Sequence, residues 1–407
     1  MVFFHLEIDT FVYFQTTMEK IFNNTEVAFS LKTDTELDRA YFLFKMIASE
    51  PLVRIGTAVT NFAIKAHLPV EGLIRATVFD HFCGGTTEVD CLSVVDKMYT
   101  KGVSSVLDYS VEGKEEEAQF DAALNMTLKT VDFAKERSAI PFAVFKPTGL
   151  GRIALYEKVG LKHPLTEAER SEWNRVQERF DIICKTAHEK DVALLIDAEE
   201  SWMQDAADAI VEEMMRRYNQ KKAIVFNTLQ LYRWDRMEYL KQLHAKATSD
   251  GFYIGMKLVR GAYMEKENNR ALQFGYPTPI CADKAATDAN YDSAVDYMMT
   301  HLERMALFAG THNEESSYKL MACMEQKGIA KNDPRIWFGQ LYGMSDNISY
   351  NLAAYGYNVA KYLPFGPVRD VMPYLIRRAE ENTSVAGQTS RELNLLKTER
   401  ERRKLDK

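Results

Sequence analysis

The strongest constraint on the fold is a series of eight short apolar or β-branched runs that begins near residue 103. Segments with helical patterns, such as 115–138 and 207–219, separate these runs. Continuous apolar runs alternating with helices are typical of parallel strands that are covered by helices. Eight such units over about 250–290 residues match a (β/α)8 barrel, and an open doubly wound sheet is the alternative. The runs are VSSVLDYS (103–110), PFAVFKPTG (141–149), VALLIDAEE (192–200), AIVFNTLQ (223–230), YIGMKLVRGAY (253–263), ALFAGTHNE (306–314), RIWFGQLYGM (335–344) and VAKYLPFGP (359–367).

The carboxyl ends of these runs are polar and charged, unlike the runs themselves. In a barrel or an open α/β sheet, the chemistry takes place at these ends of the strands. We therefore expect a site built from the residues that follow the runs. These are Asp108, Tyr109, Lys146, Asp197, Glu199, Gln230, residues 260–263, Thr311, His312, Asn313, residues 340–344 and Tyr362.

The stretch 361–382, KYLPFGPVRDVMPYLIRRAEEN, predicts a strand, a break at its prolines and glycine, and then a helix. Arg377 and Arg378 are adjacent on that helix, and Glu381 follows at helical spacing. Two guanidinium groups near a strand end suit a carboxylate or phosphate ligand, because each offers a planar fork of donors. The alternative is an exposed helix with a weak Arg–Glu ion pair.

Composition narrows the classes of protein that fit. Lys and Arg total 51 against 58 Asp and Glu in 407 residues, and no long basic run precedes the C-terminus, so nucleic acid is not the expected partner. The five cysteines are scattered and predict neither a disulfide framework nor a zinc site. No apolar window reaches the ~20 residues that span a bilayer. We expect an N-terminal helical region (1–100), a catalytic barrel (101–392) and a basic C-terminal tail (393–407).

Two other motifs point to different chemistry. GLGRIA (149–154) formally matches a dinucleotide-binding fingerprint, but Gly160 and Pro164 interrupt the helix that it should open. Asp197, Glu199 and His312 could hold a divalent metal, as in barrel hydrolases. An ion pair between Asp197 and Lys146 explains the same acid without a metal.

Seven motifs in this order resemble the proline dehydrogenase family, closer to its monofunctional members than to the bifunctional bacterial ones. The resemblance covers about residues 107–396. It implies a distorted (β/α)8 barrel that binds FAD, no metal, and oxidation of L-proline to 1-pyrroline-5-carboxylate by hydride transfer to flavin N5. Electrons then pass to a quinone or another acceptor, as the first step of proline catabolism. The motifs are FKP, IDAEE, NTLQLY, KLVRGAY, THN, FGQLYGM and YLPFGPVRDVMPYLIRRAEEN.

The resemblance also implies roles for individual residues. Arg377, Arg378 and Lys146 would bind the proline carboxylate, and Asp197 would pair with Lys146. The residues around the pyrrolidine ring would be Leu258, Tyr263, Leu341 and Tyr362. The residues at the flavin would be Ala198, Gln230, Lys257, Arg260, Gly261, Ala262, Thr311, His312 and Glu381. Catalytic roles would fall to Asp197, Lys257 and Lys146, while the base that accepts the amine proton is open between Asp197 and water.

The sequence departs from the bifunctional pattern at two positions. Lys257 stands where those enzymes have an arginine beside flavin N5, and Met264 stands where they have a tryptophan near the adenine. The role of Lys257 at the flavin and the adenine contact are therefore less secure. A flavin barrel similar to methylenetetrahydrofolate reductase and a metal-dependent hydrolase are the rival interpretations.

The tail RELNLLKTERERRKLDK (391–407) is basic with some apolar residues. It could bind an anionic membrane surface where quinone is available, or form a frayed, solvated helix. Acids occur early and the first arginine is Arg39, so the sequence predicts no mitochondrial leader. We expect a cytoplasmic protein, possibly peripheral to the inner membrane, or a mitochondrial one if the source is eukaryotic; the oligomeric state is open.

Overall fold

The computed structural model describes residues 20–49, 51, 71–110, 115–384 and 388–405. Eight parallel strands follow one another from β1 to β8, and the order closes where β8 pairs with β1. This order confirms the predicted (β/α)8 barrel and excludes the open sheet. Each strand coincides with one of the eight runs. The strands are β1 (Val103–Tyr109), β2 (Phe142–Phe145), β3 (Ala193–Ile196), β4 (Val225–Gln230), β5 (Ile254–Val259), β6 (Met305–Gly310), β7 (Ile336–Leu341) and β8 (Val359–Phe365).

The helices alternate with the strands from β1 onward, and shorter helices precede β1. Residues 53–68 of the predicted N-terminal helical region lie outside the described residues. The helices are α1 (Thr25–Ala28), α2 (Asp34–Ile47), α3 (Glu71–Ile74), α4 (Asp80–Phe82), α5 (Leu92–Tyr99), α6 (Glu117–Glu136), α7 (Ile153–Gly160), α8 (Glu167–Lys190), α9 (Ser201–Tyr218), α10 (Arg236–Asp250), α11 (Met264–Phe274), α12 (Lys284–Thr300), α13 (Glu314–Gln326), α14 (Asp346–Ala354), α15 (Met372–Ser384) and α16 (Gln388–Arg402).

Two compact units make up the chain. Unit 1 comprises Met1–Glu112 with Gln340–Lys407, and unit 2 comprises Gly113–Gly339. The predicted domain boundaries at residues 100 and 392 stay predictions.

An aromatic layer fills unit 2 near the amino ends of its strands. The ring of Phe142 makes edge-to-face contacts with Phe226, Phe308 and Trp337 at centroid distances of 5.2–5.9 Å, a favourable geometry for aromatic pairs. Gly339 makes room for this layer, since a Cβ there would lie 2.1 Å from Phe308. The layer closes this end of the core, so the polar strand ends lie opposite it.

In unit 1, the C-terminal helix α16 packs against the helices that precede the barrel. Leu395 and Leu396 are buried with Phe29, Leu37 and Phe44. Arginines at the end of α16 and just after it bind the same region. Arg400 pairs with Asp38, and Arg403 pairs with Asp34 and donates to two backbone carbonyls. The basic tail is therefore largely used within the chain.

Two further predictions can be compared with the structure. All five cysteines lie within the described residues and are free thiols. Among the described helices, none has both the length and the apolar character needed to cross a membrane.

Candidate active site

Asp197 forms the centre of a charged cluster at the carboxyl ends of β2, β3 and β5. Its Oδ1 accepts a hydrogen bond from Lys257, and its Oδ2 lies 3.6 Å from the Nζ of Lys146. Burial alone would raise the pKa of Asp197, but the ammonium groups of Lys257 and Lys146 hold it below its usual value. The cluster therefore carries one negative and two positive charges, and its excess positive charge suits an anionic ligand.

The parallel register brings these three residues together. Phe145 pairs with Ile196, and the Asp197 N–H continues the ladder by donating to the Phe145 carbonyl at 3.0 Å. Lys146 and Asp197 consequently leave their strands at the same level. Lys257 comes from within β5, where its side chain is buried.

Arg260 follows β5 and is held by three side chains at once. Its Nε donates to Asp288 at 2.7 Å, and its other nitrogens donate to Thr311 at 2.8 Å and to Ser316 at 2.9 Å. The guanidinium also lies over the ring of Tyr291, 4.4 Å from the centroid. The predicted flavin residues Arg260 and Thr311 are thus in direct contact.

Gln230 and Gly261 give this end of unit 2 features that suit a bound cofactor. Gln230 is buried, its Nε2 donates to the Glu199 carbonyl at 2.8 Å, and its Oε1 has no hydrogen-bond partner among the described residues. Gly261 has φ of +122°, and a Cβ there would lie 2.4 Å from the Tyr232 ring. A buried acceptor and an exposed strand end without a side chain fit a planar group that donates a hydrogen bond.

The remaining predicted residues of unit 2 lie around the same strand ends. Leu258 is fully buried in β5, and Tyr263, half-buried, stands immediately before α11. The others are Ala198 and His312, which are half-buried after β3 and β6, and Ala262, which is exposed after β5.

Five predicted residues belong to unit 1. Leu341 ends β7, and Tyr362 is buried in β8, where its carbonyl accepts from the Tyr342 N–H at 2.8 Å. Arg378 is buried on α15 and lies 5.2 Å from the Tyr374 ring centroid, whereas Arg377 is half-buried. Glu381 falls within α15, but its side chain is outside the part of the chain that the structure describes.

Two acidic anchors lie beside the site: sequence reasoning missed Glu267, and it singled out Glu199 as a strand-end residue and a possible metal ligand. The buried Glu267 of α11 accepts from the backbone N–H and the hydroxyl of Ser201 at 2.7 and 2.6 Å, which ties α11 to α9. Glu199 accepts from the N–H and the hydroxyl of Thr148 at 2.9 and 2.7 Å. Burial, and then the charge of Glu200, raises the pKa of Glu199 to about 7. In the sequence, the DAEE motif marks Glu199. Nothing distinguishes Glu267 from an ordinary charged residue on an exposed helix.

The proposed metal set of Asp197, Glu199 and His312 gains no support from these contacts. Both oxygens of Asp197 face lysines, and the carboxylate of Glu199 faces the donors of Thr148. Within the described residues, the His and acidic side chains close enough to share an ion are elsewhere, between α10 and the start of β6. They are His244, His301 and Glu303.

A (β/α)8 barrel with two lysines and an aspartate clustered at its strand ends is the arrangement expected of a barrel enzyme. A family model described as proline dehydrogenase matches residues 91–391. The chain belongs to the proline dehydrogenase family. These findings confirm the predicted family, the predicted oxidoreductase class and the predicted oxidation of proline.

Several known proteins are similar to this chain. The carbapenem antibiotics biosynthesis protein CarD of Pectobacterium carotovorum subsp. carotovorum is 36% identical over 362 residues, which is 88% of this chain and 94% of CarD. Mitochondrial proline dehydrogenase 1 of Homo sapiens is 40% identical over 234 residues, 57% of this chain and 39% of the human one. Hydroxyproline dehydrogenase of Xenopus laevis is 31% identical over 412 residues, 92% of this chain and 88% of that protein.

A solved structure agrees with the fold. Proline utilization A (PutA) of Bdellovibrio bacteriovorus, inactivated by N-propargylglycine, superposes with a TM-score of 0.68 at 22% identity. The match covers 93% of this chain and 41% of the PutA chain. At this identity the likeness supports the barrel architecture.

Proposed function

We propose that this chain is an FAD-dependent L-proline dehydrogenase that forms 1-pyrroline-5-carboxylate and passes the electrons to a quinone. The observation that carries the proposal is the cluster of Asp197 with Lys146 and Lys257, which places excess positive charge at the strand ends. A family of proline oxidisers needs such charge to hold the substrate carboxylate. Bound FAD would accept a hydride equivalent at N5, and the residues of this chain bind and orient the substrate for that transfer.

The residues present fit a flavin. The unpartnered Oε1 of Gln230 can accept from a ring N–H or a ribityl hydroxyl. Arg260, fixed by Asp288, Thr311 and Ser316, would supply a positive charge that stabilises the reduced, anionic flavin. Lys257, Ala198, Gly261, Ala262 and His312 complete the proposed cofactor residues of unit 2, and Glu381 is the proposed one from α15.

The proposed substrate residues divide between charge and shape. Arg377 and Arg378 would clamp the carboxylate with Lys146, since planar guanidinium groups bind carboxylates in a bidentate manner. Leu258, Tyr263, Leu341 and Tyr362 would restrict rotation of the ring. The ring of Tyr374 beside Arg378 limits the rotamers of that arginine, which reduces the entropy lost on binding.

Asp197 acts in this proposal mainly through its two lysines. The amine must lose its proton before hydride transfer, because an ammonium has no lone pair to form the C=N bond. An acid whose pKa is held below its usual value is a weak base near neutral pH. We therefore propose that Asp197 positions Lys146 and Lys257, and that water takes the amine proton.

Anaerobic titration with L-proline tests the proposed function. We expect the purified protein to be yellow, and its visible absorbance to bleach as L-proline is added. One 1-pyrroline-5-carboxylate should form for each flavin that is reduced. A colourless protein, or a yellow one that proline does not reduce, would contradict the proposal. 5-Methyltetrahydrofolate, the reduced folate that could donate a hydride to oxidised flavin, replaces proline in the control for a folate-specific barrel.

Hydroxyproline is the second candidate substrate, because the Xenopus relative is a hydroxyproline dehydrogenase. The buried, bulky Tyr362 favours proline, since a 4-hydroxyl group would need space beside the ring. We expect kcat/KM for L-proline to exceed that for trans-4-hydroxy-L-proline by roughly tenfold or more. Equal values would remove Tyr362 as the determinant.

The electron acceptor and a peripheral contact with the inner membrane are part of the same proposal. A quinone dissolved in the bilayer would require such contact. Because Arg400 and Arg403 of the tail pair with Asp38 and Asp34, we expect the tail to contribute little to it. Flotation with anionic vesicles, with and without 393–407, checks this: binding that depends on the tail would contradict it.

A further inference from the structure

Glu199 is a buried carboxylate that the proposed mechanism does not use. It is 5% exposed, and both of its oxygens accept hydrogen bonds from Thr148. Thr148 lies in the turn 146–149 between β2 and α7, two residues after Lys146. Glu199 likewise lies two residues after Asp197.

Side chains therefore join the segment 146–148 to the segment 197–199 at two places. The Lys146–Asp197 ion pair joins them at the substrate pocket, with 3.6 Å between its charged atoms. The Thr148–Glu199 pair joins them two residues further along each segment, with two hydrogen bonds of 2.7 and 2.9 Å. The second contact is the shorter of the two and consists of two hydrogen bonds, so it can set the geometry of the first.

Glu199 itself is fixed by the framework of unit 2. Its N–H donates to Gln204 Oε1 at 3.0 Å, and its carbonyl accepts from Gln230 at 2.8 Å. Gln204 in turn donates to Asp208 at 2.8 Å, and Asp208 pairs with the buried Arg236 at 2.8 Å. The glutamate is thus anchored to α9, β4 and α10, while the threonine belongs to a short turn.

We infer that Glu199 is a positioning residue: through Thr148 it holds the turn 146–149 so that Lys146 stays in place to bind the substrate carboxylate. This inference rests on the proposed function. Groups that orient a binding residue typically affect affinity or activity by ~10–100-fold when removed. A glutamate that served only the stability of unit 2 would leave substrate affinity unchanged.

Steady-state kinetics with L-proline and an artificial electron acceptor test the inference. Thr148→Val removes the hydroxyl donor but keeps the shape and the backbone N–H. We expect it to raise KM for proline roughly tenfold while kcat changes less than about threefold. Thr148→Ser should restore the wild-type KM, because the hydroxyl returns. Thr130→Val is the matched control: Thr130 is a buried threonine of α6 whose hydroxyl donates to the Thr127 carbonyl at 2.8 Å, and its loss should leave KM unchanged.

A second measurement does not depend on the substrate. A short pulse of an acetylating reagent, followed by mass spectrometry, gives the reactivity of Lys146 relative to the exposed Lys162. We expect Thr148→Val to raise this ratio severalfold and Thr148→Ser to leave it unchanged. If wild-type protein does not oxidise proline, the proposed function fails and this ratio alone decides the inference. A folded Thr148→Val protein with the wild-type ratio, or with the wild-type KM in an active enzyme, would overturn it.

Discussion

Two clusters in this chain have the same composition, one aspartate between two lysines, but their surroundings differ. We call them the strand-end cluster and the interior cluster. The strand-end cluster is Asp197 with Lys146 and Lys257 in unit 2, and the interior cluster is Asp346 with Lys32 and Lys361 in unit 1.

The interior cluster is buried at Asp346 and Lys361, while Lys32 keeps 22% of its side chain exposed. Lys361 is fully buried, lies 2.9 Å from Asp346, and donates to the Met344 carbonyl at 2.7 Å. Lys32 reaches the other oxygen of Asp346 at 3.1 Å. Burial would raise the pKa of Asp346, but the two lysines hold it well below its usual range. The cluster joins the start of the chain, the beginning of α14 and β8.

The strand-end cluster has a buried side and a partly exposed side. Lys257 contacts Asp197 closely, whereas Lys146 and Asp197 keep 14% and 15% of their side chains exposed and their charged atoms lie 3.6 Å apart. A charge pair that is partly solvated can exchange one contact for a ligand at low cost. We propose that the same three charges serve structure in unit 1 and binding in unit 2.

The largest expected effect is on stability, from removing Lys361. Lys361→Met leaves Asp346 with one partner and the Met344 carbonyl without its donor. We expect a loss of about 3–5 kcal/mol in the free energy of unfolding, because a fully buried contact of Asp346 is broken and a buried carbonyl loses its hydrogen bond. Urea denaturation measures it. Lys397→Met is the control, since Lys397 is exposed and pairs with Glu401 at 3.7 Å, and it should change stability by less than about 1 kcal/mol.

Lys146→Met should show the opposite behaviour. Asp197 keeps Lys257, and the site is partly solvated, so we expect stability to change by no more than about 1 kcal/mol. The value of kcat/KM for proline should fall by about 10–100-fold, as expected for a charged hydrogen-bond partner worth ~1.5–3 kcal/mol. If Lys146→Met destabilised the fold as much as Lys361→Met, the distinction between the two clusters would be wrong.

Sequence reasoning reached one cluster and not the other for a physical reason. The strand-end cluster could be predicted because parallel strands bring their carboxyl ends together, so Lys146 and Asp197 had to be neighbours. The interior cluster depends on Lys32 meeting Asp346, more than 300 positions apart and outside the repeating βα pattern. Lys361 in the apolar run VAKYLPF was the only local signal.

The C-terminal tail gives the same lesson. The sequence left open a membrane-binding segment or a solvated helix, and α16 is a helix whose Leu395 and Leu396 are buried. The sequence could not tell what covers the apolar face, because Leu37 and Phe44 of α2 lie far away along the chain. Local patterns specify the element, while its partner requires the tertiary structure.

Arg377 and Arg378 of α15 belong to the same proposed carboxylate site as Lys146. Arg377→Met and Arg378→Met should each raise KM for proline by about 10–100-fold, since the substrate carboxylate would lose a charged donor worth ~1.5–3 kcal/mol. Arg378→Lys should recover only part of the loss, because an ammonium group cannot bind a carboxylate with a planar fork. Unchanged kinetics in both methionine variants would remove the clamp from the proposal.

The smallest expected effect concerns the acid that borders the interior cluster. Glu392 of α16 accepts from the Ser345 N–H at 3.3 Å. Burial, and then the negative charge of Asp346, raises its pKa to about 7, although Lys361 and Lys32 act in the opposite direction. The folded protein therefore keeps a proton that the unfolded chain releases near its ordinary pKa of ~4.3.

Because the pKa is raised, the stability contributed by protonated Glu392 is fully present below the unfolded pKa and is lost as pH rises through 7. Glu392→Gln cannot titrate, so its stability relative to wild type should increase by on the order of 2 kcal/mol between pH 5.5 and pH 8. Urea denaturation at several pH values measures this difference. Glu401→Gln, at an exposed position of the same helix, is the control and should show no such trend. A pH-independent difference between Glu392→Gln and wild type would mean that Glu392 is already ionised at pH 5.5, and that the interior cluster tolerates a second negative charge.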